Sequence, residues 1–311
     1  MRSLFCIVVV LSIAQLASAQ PSRKRLAITI DDPNGREQPL FNWQERNERI
    51  LAALKKHHAQ AALFVCGMRM SPSVGPEILS TWDSAGHSIC NHSWFHSYYP
   101  SPKISADSFY QEILRVDSMI SHYKHYTKLF RFPYLKEGAT AAKRDSMRLL
   151  LRQLGYRNGY VTIDASDWYV DQRVDTKLKQ DPSADLTPYK NYYVKHILNR
   201  IGYYDSLAIS SGVAPKAHTL LLHHTLLNAL FLDTLLAAIE QNGWTIIPAS
   251  EAYTADRITK EPNVLPAGES LIYSIAKEQG AEGLRYPAED GDYEAGPLNT
   301  DLIEYERMHP K

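Results

Sequence analysis

Short apolar runs recur along the chain, and amphipathic stretches with apolar residues three or four positions apart separate them. The runs have the length of buried strands, and the stretches between them predict helices. Because parallel strands need a crossover connection, this alternation predicts a parallel sheet covered by helices. The predicted strands are RLAITI (25–30), AALFV (61–65), HSIC (87–90), KLFRF (128–132), YVTI (160–163), HTLLLH (218–223) and WTIIP (244–248).

This number of strands favours closure into a distorted (β/α) barrel of seven or eight parallel strands, in a single domain, over an open doubly wound sheet. The sequence has no G-x-G-x-x-G motif, which would indicate a dinucleotide site. The predicted helices cover residues 43–57, 75–85, 105–125, 140–154, 189–210 and 228–242. A long polar connection separates YVTI from the fifth of these helices.

The first 19 residues, MRSLFCIVVVLSIAQLASA, predict a signal peptide. They contain one arginine, an apolar stretch and a small-x-small ending at Ala17-Ser18-Ala19. A membrane anchor is the alternative, but the apolar stretch is short and interrupted. We therefore expect a secreted or periplasmic protein that starts near Gln20 and has no further membrane segment. Residues 20–255 are the predicted barrel domain, and residues 256–311, rich in Gly, Pro, Glu and Asp, a C-terminal extension.

The charges balance, with 34 Lys and Arg against 34 Asp and Glu. A formal net charge of zero gives no support for nucleic acid or an anionic membrane as a partner. We expect a monomer. After signal cleavage two cysteines remain, Cys66 and Cys90; export would permit a disulfide, and two separate buried thiols are the alternative.

Ionisable and polar residues follow five of the predicted strands. In parallel α/β folds the C-terminal strand ends share one rim, where ligands bind. The sequence therefore predicts a polar site there. Its candidate members are Asp31, Asp32, Asn91, His92, Arg131, Asp164, Asp167, His223 and His224.

The segment HSWFH carries His92 and His96 four residues apart. On a helical turn both imidazoles would share one face and could reach one ion. With a strand-end aspartate they make a set of three ligands that leaves positions open, as catalytic zinc requires. Cobalt, nickel or manganese would suit the same donors. The adjacent Asp31 and Asp32 can divide the work, one binding the metal and the other accepting a proton.

Five motifs, TIDD, HSWFH, RFPY, DASDW and LLH, stand in the order and spacing of the polysaccharide deacetylases, carbohydrate esterase family 4 with the NodB-homology domain. The sequence resembles this family over roughly residues 24–255. The resemblance implies a distorted (β/α) barrel of seven or eight strands. It also implies metal-dependent removal of N- or O-acetyl groups from sugars. We expect one divalent ion, and zinc suits two histidines and one carboxylate.

The resemblance also assigns roles at the metal. Asp31 would be the general base and Asp32 a metal ligand, together with His92 and His96. Arg131 would hold and orient Asp31; a plain structural salt bridge between the two is the alternative.

Further roles concern the substrate. The backbone N–H of Tyr134 would stabilise the oxyanion, Leu221 would wall the acetyl-methyl pocket and Trp168 would floor it. His223 would be the general acid, with its pKa raised by Asp167. For Trp168 the alternative is packing in the core.

Three features depart from the family pattern. Pro33 follows the aspartate pair where the family has glycine, so the loop after the first strand should take a different path. His224 follows the catalytic histidine where aspartate is frequent, and it competes with His223 for the role of acid. The segment 171–217 is long and rich in tyrosine, either as a stacking wall for sugars or as a helix packed on the barrel.

The leading hypothesis is thus an exported metal-dependent deacetylase of a carbohydrate of the chitin-oligomer, peptidoglycan or xylan type. A hydrolase of a non-sugar amide on the same fold and a barrel that binds glycans without turnover are the alternatives.

Overall fold

In the computed structural model, residues 24–213, 215–254, 261–285, 287–288 and 291–309 are described. The predicted signal peptide, residues 1–19, lies outside them. Within these ranges, no helix combines the length and apolar character that a membrane span requires.

Strands and helices alternate through most of the chain. In order they are β1 (Lys24–Asp31), α1 (Trp43–Lys56), β2 (Ala62–Val65), α2 (Gly75–Ser84), β3 (Ser88–Asn91), α3 (Ala106–Ile120), β4 (Tyr126–Phe130), β5 (Lys136–Gly138), α4 (Ala141–Gln153), β6 (Arg157–Asn158), α5 (Asp167–Gln180), α6 (Thr187–Ser210), β7 (His218–His223), α7 (Leu226–Gln241), β8 (Trp244–Ile246), α8 (Ala249–Ala252), β9 (Ala267–Gly268), α9 (Leu271–Glu278) and α10 (Asp292–Met308).

The main sheet has seven strands, all parallel, in the order β6-β4-β3-β2-β1-β7, with β8 paired to the start of β1. Past the end of β6, Ile163 forms an isolated parallel bridge with Leu220 of β7. The segment from Arg157 to Ile163 therefore pairs with β4 at its start and with β7 at its end. This connection curves the sheet toward closure. This arrangement confirms the predicted distorted (β/α) barrel.

The strand register brings the C-terminal ends of the central strands level. Asp31 at the end of β1 is paired with Phe64 of β2 on one side and with His223 of β7 on the other. Asn91 at the end of β3 is paired with Val65 and with Phe130. The residues that follow these positions therefore meet at one rim, as the sequence predicts.

Two local predictions were wrong. YVTI contributes the bridge at Ile163 but no regular strand, and the ladder strand is β6, a few residues earlier. Helix α5 lies in a segment taken as polar connection. Its buried residues Val170, Val174 and Leu178 recur every four positions among charged ones, a spacing that does indicate a helix.

The tyrosine-rich segment is a packing helix and does not form a stacking wall. Tyr192, Tyr193 and Tyr204 of α6 are buried in the core between the barrel and the C-terminal helices. Buried Glu294 of α10 accepts hydrogen bonds from Tyr192 (2.8 Å) and from Arg200 (2.7 Å). Helices α9 and α10 both contact α6, so these parts of the C-terminal extension pack on the barrel.

Cys66 and Cys90 are separate thiols, both buried. Burial raises the pKa of Cys66 to about 12, and it also raises that of Cys90. Both behave as small apolar side chains in the core.

Candidate active site

A cavity of about 640 Å³ opens at the rim formed by the strand ends. Eight of the predicted site residues line it: Asp31, Asp32, His92, His96, Tyr134, Trp168, Leu221 and His223. The other two, Arg131 and Asp167, lie behind its wall and are bonded to Asp31 and to His223. The structure therefore brings the predicted set together in one place.

Asp32, His92 and His96 are placed to hold one cation. Their potential ligand atoms all lie within 4.8 Å of one another. The Nδ1 atom of His92 donates to the carbonyl oxygen of Arg131 at 2.8 Å, which leaves the lone pair of Nε2 available to coordinate an ion. Burial lowers the pKa of His92 to about 3 and lowers that of His96 as well, so both imidazoles are neutral, as metal ligands must be.

The Asp32 carboxylate carries an unsatisfied atom. Its buried Oδ1 accepts no hydrogen bond from any described residue, although Nε of Arg69 lies 3.0 Å away. Burial acts to raise the pKa of Asp32, but His96, His92 and Arg69 together hold it below its ordinary value. The other oxygen, Oδ2, lies 3.5 Å from Nε2 of His96, and a carboxylate beside two neutral imidazoles fits a divalent ion.

His92 and His96 do not share a helical turn, contrary to the sequence prediction. Strand β3 ends at Asn91, and the HSWFH segment continues as a loop. His96 has a φ of +54°, Asp32 of +59° and Tyr134 of +57°, which is left-handed backbone in residues that have a Cβ. Such conformations cost about 1–3 kcal/mol each and persist where the surroundings impose them. Backbone strain is thus concentrated at the candidate site.

Asp31 is held by a buried arginine. Nη1 of Arg131 donates to Oδ1 of Asp31, and the guanidinium also donates to the carbonyl oxygen of Gly159, to Oγ1 of Thr29 and to the hydroxyl of Tyr253, each at 3.0 Å. Burial raises the pKa of Asp31 to about 6 against the opposing charge of Arg131. Tyr253 belongs to no motif and could not be assigned from the sequence.

His223 is paired with a fully buried carboxylate. Its Nδ1 lies 2.7 Å from Oδ1 of Asp167, and its backbone N–H donates to Oδ2 of Asp167 at 2.7 Å. Nδ2 of Asn228 donates to the same Oδ2 at 2.8 Å. Burial alone would lower the pKa of His223, but Asp167, together with the charges of Asp31 and Asp32, outweighs it and raises the pKa to about 9. The side chain is therefore a cation at neutral pH.

His224 has the opposite character, although it also touches the cavity. Its Nε2 lies 3.2 Å from Oδ1 of Asn47, which also accepts a hydrogen bond from the indole of Trp82. Burial and the nearby charge of Arg46 lower the pKa of His224 to about 3. A neutral imidazole directed into the packing between barrel and helices is a structural residue.

The remaining wall is formed by Leu221 and Trp168, whose indole nitrogen donates to the carbonyl oxygen of Ala288 at 3.1 Å. Two further buried carboxyl groups line the cavity, Asp164 and Asp171, and burial raises the pKa of each to about 6. Asp171 was missed because it lies on the unpredicted helix α5; the four-residue apolar spacing of that helix is the signal that could have found it.

Arg46 of α1 holds the loop after β1 by hydrogen bonds to its backbone. This buried arginine donates to the carbonyl oxygens of Asn34 (2.6 Å) and Arg36 (2.7 Å). The loop that carries Pro33 is therefore anchored to α1 at the cavity edge.

Comparison with known proteins agrees with this geometry. Residues 18–159 match the model of the polysaccharide deacetylase family. Chitin deacetylase 1 of Saccharomyces cerevisiae is 27% identical over 142 residues, which make up 45% of this chain and 43% of that protein. The aligned part is thus less than half of the yeast protein.

Solved structures share the fold. A wild-type carbohydrate esterase family 4 pseudoenzyme from Bacillus anthracis superposes with a TM-score of 0.53 at 18% identity, covering 77% of this chain and 68% of that one. A peptidoglycan N-acetylglucosamine deacetylase in complex with a hydroxamic acid gives a TM-score of 0.51 at 17% identity, covering 76% and 91%. Residues 18–159 therefore match the polysaccharide deacetylase family, and the solved structures show that the chain shares their fold.

Proposed function

We propose that the protein is an exported, metal-dependent deacetylase that hydrolyses N- or O-acetyl groups of a carbohydrate. The observation that carries the proposal is the composition of one cavity. The cavity brings together three side chains that could hold a metal ion, the Asp31 carboxylate with a pKa of about 6, and His223 with a pKa of about 9. A base and an acid whose pKa values lie on either side of neutrality suit hydrolysis near pH 7. Export rests on the predicted signal peptide.

Asp32, His92 and His96 would hold the ion, with zinc the best match to two imidazoles and a carboxylate. When bound, a divalent ion supplies Lewis-acid chemistry to the acetyl carbonyl and to water. Asp31 accepts the proton of the attacking water, because it is buried and its pKa is about 6. Arg131 keeps Asp31 oriented through a hydrogen bond on one oxygen only, which leaves the other oxygen for the proton.

His223 delivers a proton to the departing sugar nitrogen or oxygen, and Asp167 keeps it protonated and fixed in orientation. The backbone N–H of Tyr134 donates to the oxyanion as the carbonyl carbon becomes tetrahedral. Leu221 and Trp168 enclose the acetyl methyl group.

The non-catalytic alternative matters because a relative of the same fold is described as a pseudoenzyme. A barrel that only binds glycans does not need a base, an acid and three metal-binding residues. This chain has all five, in contact with one cavity. That retention favours an enzyme.

The mature protein is expected to contain about one divalent ion and to release acetate from at least one acetylated carbohydrate. The measurement is elemental analysis followed by acetate assays on chitin oligomers, peptidoglycan, acetylxylan and small acetamides. Stripping the ion with a chelator should remove activity, and adding zinc should restore it. Release from small acetamides alone would support the non-sugar amide hydrolase, and glycan binding without acetate release would support the non-catalytic barrel.

Asp167→Asn is expected to move the alkaline limb of the kcat/KM profile to lower pH. Asp167 raises the pKa of His223, so without its charge His223 loses its proton at a lower pH and less acid is available above neutrality. A bound cation would lower the same pKa in both proteins, so the diagnostic quantity is the difference between them. An unchanged alkaline limb would contradict the assignment of His223 as the acid.

A further inference from the structure

The C-terminal extension reaches the cavity through Ala288, which is buried and forms part of the cavity lining. The backbone N–H of Ala288 donates to Oδ2 of Asp164 at 3.0 Å. Its carbonyl oxygen accepts hydrogen bonds from the hydroxyl of Ser166 at 3.2 Å and from the indole of Trp168 at 3.1 Å. One residue of the extension is therefore bonded to three residues of the DASDW segment, 164–168.

A second contact to the same segment runs through His196 on α6. Its Nε2 accepts the backbone N–H of Ser166 at 3.1 Å, so the proton of the neutral ring is on Nδ1. Nδ1 lies 3.2 Å from Oε2 of Glu294 on α10, which fixes the orientation of the ring. Ser166, His196 and Glu294 are 0%, 4% and 2% exposed, so water does not compete for these contacts. They link α10 of the extension to the DASDW segment.

Glu294 is itself held firmly. Its carboxylate also accepts hydrogen bonds from the hydroxyl of Tyr192 and from the guanidinium of Arg200. Burial acts to raise the pKa of Glu294, but the contacts with His196, Arg200 and Tyr192 hold it well below its ordinary value. Glu294 is therefore an anion with three partners, and a fixed acceptor for the Nδ1–H of His196.

The position of Ser166 matters because the next residue is Asp167, the partner of His223. Oδ1 of Asp167 lies 2.7 Å from Nδ1 of His223, and Oδ2 accepts the backbone N–H of His223 at 2.7 Å. His223 belongs to β7, so a displacement of the backbone at Ser166 would move Asp167 relative to the residue that it orients. A misplacement of about 1 Å can cost about 10²-fold in rate.

We propose that His196 and Glu294 are positioning residues of the active site. They hold Ser166, and through it Asp167, at the distance from β7 that keeps His223 oriented toward the substrate. The inference rests on the proposed function and goes beyond it, because it makes the C-terminal extension part of the active site. The family match ends at residue 159, so both residues lie outside the matched part of the chain.

The test replaces His196 by two amides of different reach. In His196→Gln the amide oxygen can take the place of Nε2 and accept the N–H of Ser166. In His196→Asn the amide nitrogen can take the place of Nδ1, but no acceptor reaches Ser166. Both variants keep the ion pair between Glu294 and Arg200.

We expect His196→Asn to lower kcat for acetate release about tenfold or more, and His196→Gln to stay close to the wild type. KM and metal content should change little, because the metal-binding residues and the bond between Ala288 and Trp168 are untouched. Asp301→Ala is the matched control. Asp301 also joins α10 to α6, through Lys195 at 2.9 Å, but this ion pair is at the surface, and its loss should leave kcat unchanged.

A second comparison repeats His196→Asn in the His223→Ala background. If His196 acts through His223, it should cause no further loss of kcat there, whereas a general loss of stability would lower kcat by the same factor in both backgrounds. Glu294→Gln keeps the shape of the side chain but weakens its hold on Nδ1. It should lower kcat in the same direction, and it serves as the test if His196→Asn does not fold.

The proposal would be overturned by an unchanged kcat in His196→Asn, by equal losses in His196→Asn and His196→Gln, or by the same loss with and without His223. In the second variant, an unchanged kcat in Glu294→Gln would overturn it.

If the wild type releases no acetate, the proposed function fails, but proton NMR still decides the positioning. The short hydrogen bond between Nδ1 of His223 and Asp167 should give a signal far downfield, identified by its absence from His223→Ala. A shifted or lost signal in His196→Asn that is retained in His196→Gln would support the proposal. An unchanged signal in His196→Asn, or the same change in both variants, would refute it.

Discussion

Asp31→Asn is expected to abolish acetate release while the protein retains its metal, and Asp32→Asn to lose both. The two residues are chemically identical and adjacent, so only their surroundings can give them different roles. Asp32 faces His92 and His96, whereas Asp31 is bonded to Arg131. An amide at 32 replaces an anionic ligand oxygen with a neutral one, which weakens metal binding. An amide at 31 leaves no acceptor for the proton of the water.

The Asp31→Asn variant should fold, even though it leaves Arg131 without its counter-charge. Removing one member of a buried ion pair can cost about 3–5 kcal/mol. Here Arg131 keeps its hydrogen bonds to Gly159, Thr29 and Tyr253, which limit that cost. Removal of one of two neighbouring like charges also offsets part of it.

The experiment compares metal content, acetate release and thermal unfolding of the two variants at matched protein concentration. A metal pattern opposite to the expected one would exchange the roles of Asp31 and Asp32. Substantial activity in folded Asp31→Asn would exclude the general-base mechanism.

The sheet and the site rim were predictable because they depend on periodicity and on strand ends. The segment HTLLLH predicts strand β7. A strand that is covered on both faces is apolar along its middle, and here the polar residues stand only at the two ends. The level ends of β1, β3 and β7 follow from parallel pairing, so charged residues just after each run had to meet. The positions of Asp31, His92 and His223 required no further information.

Other features depend on long-range packing and could not be predicted. The left-handed backbone at His96 is imposed by the surrounding loop, and nothing in HSWFH distinguishes that loop from a helical turn. Tyr253 reaches Arg131 from the far end of the barrel, across 122 positions of sequence. The burial of Tyr192 and Tyr193 depends on which surface α6 presents to its neighbours.

His223→Ala is expected to lower kcat by about 10²–10⁴, the usual contribution of general acid catalysis. His224→Ala should lower it little. From the sequence, either of the two adjacent histidines could be the general acid. In the structure they have different hydrogen-bond partners. His223 is held by Asp167 and is a cation near neutral pH. His224 is neutral and packs near Asn47 and Trp82.

The thermal stability of both variants should fall, for different reasons. Alanine at 224 leaves a space among buried side chains and removes a hydrogen bond to Asn47, although Asn47 still accepts one from Trp82. Large-to-small changes of this kind in a core cost about 2–5 kcal/mol. Alanine at 223 removes a side chain from the cavity wall, where solvent can fill the space, but it leaves the Asp167 carboxylate with only its bonds to Asn228 and to the backbone.

Measuring kcat and the unfolding midpoint for both variants on one active substrate therefore separates a loss of catalysis from a loss of stability. The assay is run below the unfolding midpoint of His224→Ala, so that lost activity cannot come from unfolded protein. A larger loss of kcat in folded His224→Ala than in His223→Ala would show that the acid is one residue further along. That result would also mean that His224, and not His223, faces the substrate at the end of β7.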